Sequence, residues 1–245
     1  MAALGGKLNT YNNLYIFGDS YSTTNYCVDY KDSFWYSIAK DTDIQNITNY
    51  SWLGNSLDSI THTLISEQNK FDWDSLFVIC LPVLERITVF DDFQGQTRQA
   101  TRIADSIEEF TVQSHSSLDV ISLHESEYKH IIMNNTRSWT EITALRNLFL
   151  IDQWLSAKGV DYIFLNMSQG FMTDSAWPTS TFLIEYFKKH NNSIIFENTY
   201  TDINQDIHKP VDFDKYGWMG HHGKDGNQHY YKNSVKPKLI ELGIL

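Results

Sequence analysis

The chain has 245 residues, enough for one α/β domain with its own core, and its 42% hydrophobic and 14% aromatic content is that of a globular protein rather than a disordered one. Its formal charge of −11, with no run of Lys or Arg, argues against binding a nucleic-acid backbone or an anionic membrane surface. The longest apolar run, Leu76 to Leu84, contains a proline and is too short to span a bilayer.

Residues 1–10 are small and polar and read as a loose lead-in, with no apolar core of a signal peptide. Cytoplasmic synthesis without a signal peptide is the expectation. The only cysteines are Cys27 and Cys80, and Cys80 falls in an apolar run, so no disulfide framework is expected. Leu14 to Phe17 reads as a first, buried strand, followed at once by Gly18-Asp19-Ser20. A glycine there permits a sharp turn, and the carboxyl end of a strand in an open α/β sheet faces the ligand crevice. Ser20 would stand at that edge, beside backbone N–H groups able to hold an anion. The tripeptide by itself equally fits a plain turn leading to a helix.

Asp32 to Lys40 has helical spacing in Phe34, Trp35, Ile38 and Ala39, with Asp32 or Ser33 as N-cap. Ile44 to Tyr50 reads as the second strand, and Ser51-Trp52-Leu53-Gly54-Asn55-Ser56 as the turn into a further helix. Asp74 to Leu81 is the strongest strand, continuous and apolar as a central parallel strand requires. The stretch 91–137 exceeds an ordinary connection and reads as a helical insertion, with helices at Ala100–Phe110 and Leu118–Met133. His115, His124 and His130 within it have no metal-ligand spacing, and no metal site is expected.

Ser138 to Lys158 is the clearest helix. Ser138 and Glu141 form a capping box, and Trp139, Ile142, Leu145, Leu148, Ile151, Trp154 and Leu155 make one apolar stripe. Gly159 ends it, and Val160 to Leu165 follows as the fourth strand. The loop 166–180, with Asp174 and Trp177, reads as a surface loop or a substrate wall. A helix over Thr181–His190 and a short fifth strand over Ser193–Glu197 come next. Near the C-terminus, Gly220-His221-His222-Gly223-Lys224-Asp225-Gly226 leads into a final helix ending near Leu242 and containing His229.

Gly18-Asp19-Ser20 after a first strand, Gly54 in the turn after the second, and the histidine-glycine stretch before the last helix together resemble blocks I, II and V of the SGNH (GDSL-type) hydrolases, serine esterases and lipases. The resemblance implies a single domain over 1–245, a three-layer α/β/α sandwich with a central parallel sheet of about five strands, and no cofactor. It implies Ser20 as nucleophile, the N–H groups of Ser20 and Gly54 as oxyanion hole, and a histidine as general base. His221 matches the family spacing to Gly226 better than its neighbour His222, and His229 lies too far into the helix.

Two departures stand out. The block III asparagine, a further oxyanion donor, is replaced within Pro82-Val83-Leu84-Glu85-Arg86. A variable turn followed by an arginine, here Arg86, is the looser pattern of phage-type members. The acid that should precede the histidine by two or three residues is replaced by Trp218 and Met219, leaving Asp212 and Asp214 as the nearest carboxylates. One missing oxyanion donor costs on the order of 10²–10³ in rate, and a triad without its acid about 10⁴. Two functions therefore follow from the resemblance. One is a serine esterase acting on a small-molecule or glycan ester, with acetylated carbohydrate as substrate class. The other is a catalytically silent SGNH-like domain that binds glycans or is assembled into a larger particle such as a virion.

Overall fold

The computed structural model describes residues 11–23, 29–52, 55–82, 86–91, 96–101, 111–114, 137–167, 185, 187, 194–195 and 223–245. Its centre is a parallel sheet of β1 (Asn13–Phe17), β2 (Asn46–Asn49), β3 (Ser75–Leu81), β7 (Asp161–Asn166) and the two-residue β8 (Ile194–Ile195), in the spatial order β2-β1-β3-β7-β8. All four pairings are parallel. Every residue of β3 is buried, which is why this strand reads as an unbroken apolar run. The edge strand β2 alternates exposed and half-buried residues.

Helices cover both faces. On one lie α1 (Phe34–Asp41) and the C-terminal helical stretch, made of α4 (Lys224–Tyr230), a π-helical turn (Tyr231–Val235) and α5 (Lys236–Glu241). Leu14, Ile16, Leu76, Val78 and Cys80 from the sheet pack there against Phe34, Ile38, Tyr230 and Leu239. On the other lie α2 (Leu57–Ser66) and α3 (Arg137–Lys158), whose Leu57, Ile60, Leu145, Leu148 and Leu155 meet Phe17, Phe77, Ile79 and Phe164. Successive strand residues thus serve opposite layers, as the pleat requires. The result is the three-layer α/β/α sandwich with a five-stranded parallel sheet.

Local signals set the helix ends. Ser33, not Asp32, caps α1 by accepting from the Tyr36 N–H, and Ser56 caps α2 through the Ser59 N–H. α3 begins at Arg137, so Ser138 lies inside its first turn and is not its cap. It ends at Gly159, whose φ of +68° suits glycine. The expected helix over Thr181–His190 is described only at Glu185 and Phe187.

The reading of 91–137 as a helical insertion needs correction. Where described, it contributes strands: β4 (Arg86–Asp91), β5 (Gln96–Thr101) and β6 (Thr111–Ser114) form a separate antiparallel sheet in the order β4-β5-β6. Ala100, expected to open a helix, pairs with Ile87 and Val112. Ile87, Thr88, Val89, Thr97, Thr101, Thr111 and Val112 are β-branched, and such side chains favour the pleated surface over a helix. The second expected helix, Leu118–Met133, and the histidines 115, 124 and 130 lie outside the described residues.

Candidate active site

Strand order reverses between β1 and β3: from β1 the chain passes to β2 on one side, then returns to β3 on the other. In open α/β sheets the crevice at the carboxyl end of that switch is the place for a ligand. Gly18-Asp19-Ser20 leaves β1 at this point.

The turn is built from its own polar groups. Asp19 is fully buried, and its Oδ1 accepts from the Tyr21 N–H at 3.1 Å. The Asp19 carbonyl accepts from the Ser22 N–H at 3.0 Å and from the Ser22 hydroxyl at 3.0 Å. The Ser20 carbonyl accepts from the Thr23 hydroxyl at 3.2 Å. Ser20 itself is 6% exposed. Beneath the turn the backbone approaches so closely that a Cβ on Gly18 would stand 2.2 Å from Ser22 Oγ and 2.6 Å from Cys80 Cβ. Gly18 is therefore required by contact, not by an unusual φ. The Cys80 thiol below is no rival nucleophile: burial, and then the Asp19 charge, push its pKa far up and keep it protonated.

The loop after β2 is tied to the same turn. The Gly18 carbonyl accepts from the Trp52 N–H at 3.1 Å and from Asn55 Nδ2 at 2.9 Å. Asn49 Nδ2 donates to the Ser22 carbonyl at 2.7 Å, and Trp35 Nε1 to the same oxygen at 3.1 Å. Gly54, the second expected oxyanion donor, lies outside the described residues, but its neighbour Asn55 is buried and bonded to the residue two before Ser20.

His221 and His222 also lie outside the described residues, as do Asp174, Trp177, Asp212, Asp214, Trp218 and Met219. The chain re-enters at Gly223, the residue bonded to His222. Asn227, 2% exposed, donates to the Gly223 carbonyl at 3.0 Å and accepts from the Phe34 N–H at 3.4 Å. Lys224 pairs with Asp32 at 3.3 Å. Gly223 is thus fastened to the N-terminal end of α1, the end that Trp35 fastens to the Ser20 turn. His229 lies within α4, as expected. Of the stretch Pro82–Arg86 that stands in place of block III, Pro82 is described and has no N–H and no polar side chain, residues 83–85 lie outside the described residues, and the side chain of Arg86 is not described.

Ser20 is legible in the sequence, but not the residues that hold its turn, Ser22, Thr23, Trp35, Asn49 and Asn55, nor Asn227, which holds Gly223 to the start of α1. The signals are small, a polar residue closing the mixed strand β2, as at Asn49, or following a glycine, as at Asn55. Neither is distinctive until its partner is known. Among the described residues no group of three or more His, Cys, Asp or Glu side chains is placed to hold a metal, and no helix is long and apolar enough to cross a membrane.

No family model and no curated protein matches the sequence. Solved structures do match in shape. TesA superposes with a TM-score of 0.50 over 95% of this chain and 99% of its own, at 13% identity. The psychrotrophic esterase EstA from Pseudoalteromonas sp. gives 0.48 over 94% and 98%, at 11% identity. The acetyl xylan esterase AlAXEase gives 0.47 over 94% and 98%, at 12% identity. At such identities the likeness is one of fold alone, and the fold is the α/β/α arrangement expected from the sequence.

Proposed function

We propose that this chain of SGNH-hydrolase fold is a serine hydrolase that cleaves an ester, with Ser20 as nucleophile. The observation that supports this most is the fastening of two sequence-distant segments to one end of α1. The Ser20 turn is held there through Trp35, and Gly223, next to the histidine pair, through Asn227 and Lys224.

In this reading the Ser20 oxygen adds to the acyl carbonyl while its proton passes to a histidine, His221 by family spacing. The tetrahedral oxyanion is held by the N–H groups of Ser20 and Gly54. Collapse expels the alkoxide, which takes the proton from the imidazolium and leaves as an alcohol. Water, deprotonated by the same histidine, then releases the acid and restores Ser20. Acetylated carbohydrate is the first substrate class to try, as the sequence resemblance suggests. The Ser20→Ala variant should lose all turnover of p-nitrophenyl acetate above the uncatalysed rate while keeping its thermal midpoint. Unchanged turnover in that variant would reject the assignment.

A second reading rests on the two departures in the sequence, the absent block III asparagine and the absent acid two or three residues before His221. A silent domain of this fold would bind glycans, or a partner in a larger particle, without hydrolysing them. Glycan binding that survives Ser20→Ala, with no ester hydrolysis by the wild type, is what that reading predicts.

A further inference from the structure

Among the described residues, three buried side-chain polar atoms have no hydrogen-bond partner: Ser51 Oγ and both amide atoms of Asn166. Other buried polar side chains of this region, such as Asn55 and Asn227, are paired. The orphans are not scattered. Ser51 lies between Tyr50 and Trp52, whose N–H groups donate to Ile16 and Gly18 of the β1 segment. Asn166 is the last residue of β7 and pairs with Leu81, the last residue of β3. Both stand at the carboxyl edge, on either side of the Ser20 turn.

Asn166 is the more telling of the two. It is 1% exposed and ends the run Ile163-Phe164-Leu165, where an apolar residue would be satisfied. Leaving a buried amide unpaired forfeits the bonds it made to water, and such a group calls for a reason. Its backbone is engaged, in the ladder with Leu81 and through its carbonyl, which accepts from the Tyr230 hydroxyl at 3.5 Å, while its side chain is not. The registers Phe17↔Ile79 and Ile79↔Phe164 put Asn166 level with the position two residues past Phe17, which is Asp19. It lies two strands from β1, roughly 10 Å away at the usual strand spacing. It also borders the start of the Pro82 turn, where the family's asparagine is missing.

We infer that Asn166 takes over the missing donor's task, its Nδ2–H group bonding the carbonyl oxygen of the ester as negative charge gathers there. This rests on the reading of Ser20 as nucleophile. Asn166 itself gives up no proton: the C=O π pair moves onto oxygen as the Ser20 bond forms and the Ser20 proton passes to the histidine, and the pair returns as the alkoxide leaves with that proton. A donor in a water-excluded site is where such a bond acts most strongly.

The test uses the full chain and a fluorophosphonate probe, whose tetrahedral phosphorus engages the same donors. Asn166→Leu removes the amide at similar volume, and Asn166→Asp keeps the shape but exchanges donor for carboxylate. Both should react on the order of 10²–10³-fold more slowly than wild type, with Asn166→Leu at least as heat-stable because the orphaned atoms are gone. Labelling of either folded variant within about threefold of wild type, or a clear fall in the thermal midpoint of Asn166→Leu, overturns the inference and leaves Ser20 standing. A folded wild type that takes no probe at all removes the nucleophile, and the inference falls with it.

Discussion

Gly18 shows how one missing carbon organises the site. An added Cβ would press on Ser22 Oγ, which is already committed to the Asp19 carbonyl, and on Cys80 Cβ, which belongs to the central strand. Neither can yield without breaking a bond or shifting β3. Gly18→Ala should therefore cost about 1–3 kcal/mol, the usual penalty for overfilling a packed core, seen as a lower thermal midpoint. Because the strain falls two residues before Ser20, ester turnover should fall more than stability alone explains. A variant with wild-type stability and activity would show that the turn is looser than its contacts indicate. The importance of Gly18-Asp19-Ser20 was legible in the sequence because strand, glycine and serine are contiguous. Asn166 was not, since its interest lies in having no partner, and that is a property of the fold.

At the scale of elements, the C-terminal helical stretch lies along α1 and runs parallel to it. Asn227 and Lys224 meet the start of α1, Gln228 donates to Ser37 in its middle at 2.8 Å, and Tyr231 and Lys236 both bond Asp41 at its end, each at 2.7 Å. Phe34 and Tyr230 meet edge to face at 5.5 Å in the core between them. Burial alone would raise the Asp41 pKa, but the hydrogen bonds from Lys236 and Tyr231 outweigh it and hold the group below its ordinary 3.8. A carboxylate lowered in this way stabilises the fold fully above its unfolded value, and the contribution is lost as pH falls through the lowered folded value. Asp41→Asn should thus be less stable than wild type at neutral pH, with the difference shrinking below about pH 4. Urea unfolding at a series of pH values measures this, and a constant difference down to pH 2 would contradict it. The helices themselves were readable from apolar spacing and caps. The β4-β5-β6 sheet was not, because each antiparallel strand is justified by a partner elsewhere in the sequence, while a local window at Ala100 shows only apolar residues near helical intervals.

For the whole molecule, the order β2-β1-β3-β7-β8 places the switch in strand order, and with it the Ser20 turn, at the carboxyl end of β1. The topology opens a crevice at the end of β1, and local bonds fix Ser20 there. Docking of the C-terminal helical stretch on α1 fastens Gly223 to the end of α1 that also holds the Ser20 turn. The parallel sheet was legible because its central strands are apolar without interruption. The block III departure was legible as well, but what replaces it was not, since β7 is remote in sequence from the Pro82 turn. The most direct measurement is intact-mass analysis after fluorophosphonate treatment, with peptide mapping and Ser20→Ala as control. The account predicts one adduct, on Ser20, that disappears in the variant. A folded wild-type protein that remains unmodified, or one modified on another residue, would contradict it.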